Sequence, residues 1–149
     1  MHSGETRTLP DILGKSTHMT VQVVTDGTPL ASGFVYVCPG GQDTYLADGF
    51  LRVTGKLSDP LFRPSINLLF ESLARQYRHR AIAIVMSGML NDGTEGALRV
   101  HEFGATMLVQ TPDEASFESM PSSVIMNDHP RNILPASALA DEVVRIVVG

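Results

Sequence analysis

The sequence predicts an α/β protein: a doubly wound, mainly parallel sheet with helices on both faces and an antiparallel β-hairpin insertion. Residues 81–86 and 105–110 are apolar runs without polar alternation, which is typical of strands buried on both faces. Between them lies a helical pattern that Gly104 ends at a C′ position. Strand, helix and strand recur from residue 64 onward, which favours a parallel sheet with right-handed crossovers.

The elements of the first third are short and bounded by turn residues. Two runs have the character of strands, and Asp48-Gly49 is the signal of a tight β-hairpin turn. In chain order, the predicted elements are a helix at 9–15 and strands at 19–24, 33–38, 44–47 and 51–54. We expect the stretch 18–54 to form an antiparallel insertion beside the main sheet.

The remaining elements follow from helical periodicity. Pro64 suits a first helical position, and apolar residues at spacings of three and four up to Tyr77 predict an amphipathic helix. The basic run Arg75 to Arg80 then reads as a solvated helix end. Further predicted elements are a helix at 94–103, a short helix after Pro121, a short strand at 132–134 and a terminal helix at 136–148.

Composition limits the possible classes of protein. A chain of 149 residues has room for one domain, 1–149, and 43% hydrophobic against 18% charged residues allows a packed core. A net charge of -5 argues against a nucleic-acid surface. The single cysteine, Cys38, excludes an internal disulfide and fits a reducing compartment. Without a long apolar segment or a signal peptide, we expect no membrane insertion and a cytoplasmic location.

The most informative segment is the Gly-rich loop after the run 81–86, where the carboxyl ends of parallel strands form ligand sites. It reads Ser87-Gly-Met-Leu-Asn-Asp-Gly-Thr-Glu-Gly96. Asp92 has two interpretations, which do not exclude each other. It is either a helix N-cap, with Glu95 completing a capping box, or the carboxylate of a Ser-His-Asp triad.

This loop resembles the stretch Thr-Gly-Met-Gly-x-Asp-Gly-Ala-x-Gly of bacterial chemotaxis receptor methylesterases, the CheB family. Pro64-Ser-Ile-Asn-Leu-Leu-Phe-Glu-Ser-Leu-Ala74 is similar to the family's Pro-Ser-Val-Asp-x-Leu-Phe-x-Ser-x-Ala. Segments 26–40, 104–110 and 118–121 also follow in the family's order. The loop departs from the family at Ser87, usually Thr, and at Leu90, usually Gly.

The resemblance implies a hydrolase that removes methyl esters from glutamyl side chains of chemoreceptors and in many members deamidates glutamine there. Asp92 matches the triad aspartate, and Met89 matches a methionine linked to oxyanion stabilisation. Gly88, Asn91 and Met120 are expected to line the site. The histidines lack metal-ligand spacing, so no metal is expected, and no cofactor.

Two family motifs are absent from the sequence: the Gly-Ser-Thr-Gly-Gly turn of the nucleophile and the Gln-His pair of the base. We therefore expect a partial catalytic domain that lacks its first two βα units and is inactive alone. Ser87 lacks the elbow pattern Gly-x-Ser-x-Gly, and His2, on a terminus, does not replace the base. Removing βα units leaves apolar surface uncovered, so we expect this chain to be oligomeric.

The expected partners are the cytoplasmic helices of methylated chemoreceptors, with a receiver or methyltransferase domain possible on a longer chain. An alternative is a non-catalytic module that keeps the fold for interaction or regulation. A third alternative, a nucleotide-binding domain, has the least support because no Gly-x-Gly-x-x-Gly follows a predicted strand.

Overall fold

The computed structural model describes residues 8–55, 65–86, 94–115, 118–127 and 130–149. The chain divides into two compact units, Met1–Pro64 and Ser65–Gly149. The expectation of a single domain stays a prediction.

Over residues 8–55, the first unit holds one short helix and five strands. They are α1 (Leu9–Gly14), β1 (Thr20–Val23), β2 (Thr28–Pro29), β3 (Phe34–Val37), β4 (Asp43–Ala47) and β5 (Phe50–Thr54). β4 and β5 form the predicted hairpin, and both residues of its tight turn, Asp48 and Gly49, have positive φ. Positive φ at both positions is the signature of a type I′ turn, so the Asp-Gly signal is confirmed.

The prediction that all of 18–54 is antiparallel is wrong. β1 and β3 pair in parallel, with Thr20 opposite Phe34, whereas β2, β5 and β4 form a separate antiparallel sheet. Two turns, each with a glycine of positive φ (Gly27 and Gly33), separate β1 from β3. Because the chain turns twice between them, the second strand runs in the same direction as the first.

The second unit contains the strand–helix–strand succession that the sequence predicts. Its elements are α2 (Ile66–Tyr77), a 3₁₀ turn (Arg78–Arg80), β6 (Ile82–Val85), α3 (Thr94–Glu102), β7 (Thr106–Gln110), α4 (Ser119–Asn127), β8 (Asn132–Leu134) and α5 (Ala136–Val148). β6, β7 and β8 pair side by side in parallel, in that order. Gly104, with φ of 80°, follows the end of α3 as predicted.

Helices cover both faces of this sheet, which confirms the predicted fold class. One face packs against α2, α3 and α4 in a single cluster of buried residues: Ala74, Val85, Ala97, Val100, Met107, Val109 and Val124. Leu108 alternates with the cluster residues of β7 and is fully buried on the other face, where α5 packs on β7 and β8. Burying each of the Val, Leu and Met side chains among them stabilises the fold by about 1.5–3 kcal/mol.

β6 differs from its prediction as a strand buried on both faces. It lies at an edge of the described sheet, and Ile84 and Met86 keep 37% and 44% of their surface exposed. β7, the central strand, is the one buried on both sides. The proposed helical start at Pro64 lies outside the described residues; α2 begins at Ile66, after the cap Ser65.

Candidate functional site

The carboxyl ends of the three parallel strands lie at one edge of the sheet, at Val85, Gln110 and Leu134. This edge is where open α/β sheets bind ligands. The described chain leaves it at Met86 and resumes at Thr94, the first residue of α3. Gly88, Met89, Asn91 and Asp92 fall between those points, outside the described residues, so their roles stay predictions, as does the capping box of Asp92 with Glu95.

A hydrogen bond between helices fixes the start of α3, immediately after this loop. The Gly96 N–H donates to the side-chain oxygen Oδ1 of Asn67, in the first turn of α2, at 2.6 Å. Ser65 caps α2, and its Oγ accepts from the Leu68 N–H at 3.4 Å. The first turns of two helices therefore meet here, and helix N-termini favour negative charge nearby.

The close contact between α2 and α3 requires a glycine at position 96. A Cβ on Gly96 would lie 2.9 Å from the Cα of Asn67 and 3.0 Å from the Cβ of Phe70. Both neighbours are fixed parts of α2 and cannot rotate away. The last glycine of the loop motif thus has a packing role, which brings α3 against α2 where the loop ends.

Glu114 ties together two segments at the same edge. Its Oε1 accepts from the Ala136 N–H at 2.7 Å and from Gln110 Nε2 at 2.9 Å. Ala136 opens α5, whose N-cap residue, Pro135, makes no side-chain capping bond. The carboxylate therefore caps α5 from a distant part of the chain and fixes the segment that follows β7.

These bonds make the local structure acid-sensitive. Donation from the Ala136 N–H, and next from the Gln110 side chain, holds the pKa of Glu114 below its ordinary 4.5. A depressed folded pKa means that the stabilisation is complete above the unfolded value and is lost as pH falls through the folded value.

We therefore expect Glu114→Ala to lower the melting temperature near neutral pH and to lose that difference in acid. Thermal unfolding followed by circular dichroism across a pH series measures both effects. Asp141→Ala is the matched control, since Asp141 is an exposed carboxylate on α5, the helix that Glu114 caps. A Glu114→Ala deficit that persists unchanged in strong acid would contradict the role of the charged carboxylate.

Met120 lies in the first turns of α4, half-buried and packed against the core cluster. Packing against the core accounts for an apolar residue at position 120. Its predicted place in the lining of the site stays a prediction. Asn67 and Glu114, by contrast, were not singled out by the sequence, because each acts through a partner more than 20 residues away.

A depression in the first unit is lined in part by Asp26, Gln42 and Val53. The carboxylate of Asp26 stabilises the fold, because it accepts hydrogen bonds from the Val53 N–H at 3.0 Å and from Arg52 Nε at 2.9 Å. The Val53 hydrogen bond is the main cause that lowers the pKa of Asp26 below 3.8, and Arg52 adds to it. Among the described residues that line it, the depression therefore offers no unengaged acid for catalysis.

Within the described ranges, no cluster of three His, Cys, Asp or Glu side chains is arranged to hold a metal ion. Of the helices that the structure describes, none has the length and apolar character to cross a bilayer.

Comparison with known proteins places these features in a family. The family model described as CheB methylesterase matches residues 1–143. A protein-glutamate methylesterase/protein-glutamine glutaminase of Thermotoga maritima is 30% identical, and the match spans 99% of this chain but 44% of that protein. A second such protein, from Methanosarcina mazei, is also 30% identical, over 99% of this chain and 42% of its own length. The chain thus spans less than half the length of these relatives.

The fold agrees with a solved member. The crystal structure of the Thermotoga maritima CheB methylesterase catalytic domain superposes with a TM-score of 0.82 at 27% identity. The match covers 93% of this chain and 75% of that domain.

Proposed function

The chain belongs to the CheB methylesterase family, and from that premise we propose that it forms part of a protein-glutamate methylesterase acting on methylated chemoreceptors. The observation that carries the proposal is the family match over residues 1–143, which includes the loop from Ser87 to Gly96. Glutamine deamidation is proposed as a second reaction at the same site.

The proposed chemistry is acyl transfer. A serine attacks the ester carbonyl, methanol leaves with a proton delivered by a histidine, and water then releases the glutamate from the acyl-enzyme. Asp92 orients that histidine and stabilises its charged form. Met89 lies beside the oxyanion, and Gly88, Asn91 and Met120 line the site.

The serine and histidine of this scheme belong to motifs that the 149 residues do not contain. We propose that Asp92 is the triad residue that this chain contributes, and that the nucleophile and base come from another segment of a longer polypeptide. The carboxyl edge supports this role: the Asn67–Gly96 hydrogen bond fixes the helix that begins two residues after Asp92.

The test is methanol release from methylated receptor helices by the protein extended with its upstream coding sequence. Release by a protein that carries both missing motifs supports the methylesterase. An upstream sequence without the motifs, together with no release, would instead support a non-catalytic module of the same fold.

We also propose that the chain associates with another polypeptide, either a second copy or the remainder of its own domain. The exposed apolar surface of the second unit supports this proposal. Ile84 lies on the edge strand β6, and α5 exposes Val144, Val147 and Val148 by 60%, 71% and 81%. Sedimentation of the 149-residue chain at micromolar concentration is expected to show dimers or larger species, and a monodisperse monomer would contradict this proposal.

A further inference from the structure

The amino edge of the sheet in the second unit, opposite the candidate site, carries a concentration of positive charge. The 3₁₀ turn Arg78–Arg80 directly precedes β6, and Phe103 lies just before β7. Because the two strands are parallel and paired, both segments lie at the same edge. We call Arg75, Arg78, His79 and Arg80 the amino-edge basic patch; all four side chains are exposed.

Aromatic rings hold the guanidinium groups of this patch in place. Arg75 and Arg78 lie over the same ring, Phe103, at 5.7 and 5.3 Å from its centroid. Arg80 lies over the ring of Tyr77 at 5.2 Å. A guanidinium already held over a ring loses less side-chain freedom when its N–H groups bind an anion.

The charge of the patch is only partly neutralised. Arg75 donates to Glu71 at 2.7 Å, one turn earlier on α2. Among the residues that the structure describes, no carboxylate pairs with Arg78 or Arg80. Two ring-stacked guanidinium groups therefore face solvent in a chain whose net charge is -5.

Arg78 also occupies a backbone conformation that suits glycine. Its φ is 48° and its ψ is -122°, at the end of α2. Such a conformation is strained for a residue with a side chain and persists only where the surrounding contacts outweigh the strain. A glycine here would suit the fold but would remove the guanidinium from the ring of Phe103.

From these observations we propose that the amino-edge basic patch is a docking surface for an acidic protein segment that presents two or more closely spaced carboxylates. Arginine forks match carboxylates bidentately. A nucleic acid fits less well, because the patch has only four basic residues within positions 75–80, whereas a nucleic-acid surface needs clustered Lys and Arg along several phosphates. An anionic membrane likewise favours a wider set of basic residues than this patch offers.

The test uses a fluorescein-labelled hexaglutamate peptide, with hexaglutamine as the neutral comparison. Fluorescence anisotropy is expected to show that the 149-residue chain binds only the glutamate peptide, more weakly as salt is added. Arg78→Gln/Arg80→Gln is expected to weaken binding roughly tenfold. Lys15→Gln/Arg52→Gln removes the same charge from exposed positions of the first unit and is expected to change the affinity less than about twofold.

A single variant separates docking from stability. Arg78→Gly relieves the backbone strain and removes one guanidinium, so the melting temperature should not fall while the affinity for hexaglutamate does. Affinity that falls only together with the melting temperature would assign Arg78 to the fold and overturn the proposal. Equal losses in the two double variants, tighter binding of a short DNA duplex or of phosphatidylserine vesicles, or no binding of hexaglutamate would also overturn it.

Discussion

Replacing Asp92 by Asn in the protein extended through its upstream segment is expected to lower kcat for methanol release by about 10²–10⁴-fold. The histidine of a triad needs a carboxylate that accepts its ring N–H and stabilises the positive charge formed during attack. An amide offers a neutral group that can present a donor instead of an acceptor, so the imidazole loses its correct tautomer. Steady-state rates with methylated receptor as substrate measure the effect.

The variant Asp92→Ser distinguishes the triad role from the competing interpretation that Asp92 is only a helix cap. Serine is as good an N-cap as aspartate but carries no charge and reaches less far. If Asp92 is the triad aspartate, Asp92→Ser should keep the parental melting temperature and lose activity as severely as Asp92→Asn. If Asp92→Ser retains the parental kcat, Asp92 is a cap and the triad assignment is wrong.

Gly96→Ala is expected to destabilise the second unit by about 1–3 kcal/mol, the usual consequence of forcing an extra methyl group into a packed contact. The added Cβ would meet the backbone of Asn67 at 2.9 Å, so the two helices must move apart. That movement would also stretch the 2.6 Å hydrogen bond between them. Urea unfolding gives the change in the free energy of unfolding.

Gly14→Ala is the matched control. Gly14 also lies in a helix, but a Cβ there would meet nothing within 4 Å. We expect that substitution to be neutral or slightly stabilising, because alanine restricts the unfolded chain. Equal free energies for the parent and Gly96→Ala would show that α2 and α3 do not pack as closely as described.

In the extended protein, Gly96→Ala is expected to lower kcat as well, since the displaced helix follows the loop that carries Asp92. The activity loss should exceed what the fraction of unfolded protein explains.

Local patterns were sufficient for most elements of the fold. Neighbouring residues alone were sufficient to predict the strand β7, from its apolar run, and the Asp48-Gly49 turn of the hairpin. Gly104 ends α3 as expected. The exposure of β6 is a different matter: an apolar run shows that a strand can be buried, but its place at the edge of the described sheet depends on which strands pair with it.

The direction of strand pairing and the long-range contacts could not be predicted from the sequence either, because they depend on residues that are far apart in the chain. Nothing near β1 indicates that its partner is the parallel β3 instead of β2. The bond from Ala136 to Glu114 joins residues 22 positions apart, and the Asn67–Gly96 bond joins residues 29 apart. The loop containing Asp92 was identified by its composition and its resemblance to a family motif, whereas the contacts that support it emerge only when the chain is folded.

The most direct test of the role of Asp92 is methanol release by two proteins. One is the 149-residue chain, and the other is the same chain extended by a segment that carries the Gly-Ser-Thr-Gly-Gly and Gln-His motifs. A triad aspartate without a nucleophile or a base cannot form an acyl-enzyme, so the chain alone should release no methanol above the buffer rate. The extended protein should release it with turnover. Turnover by the 149-residue chain alone, or none by the extended protein, would contradict the assignment of this chain as the part of the methylesterase domain that contributes Asp92.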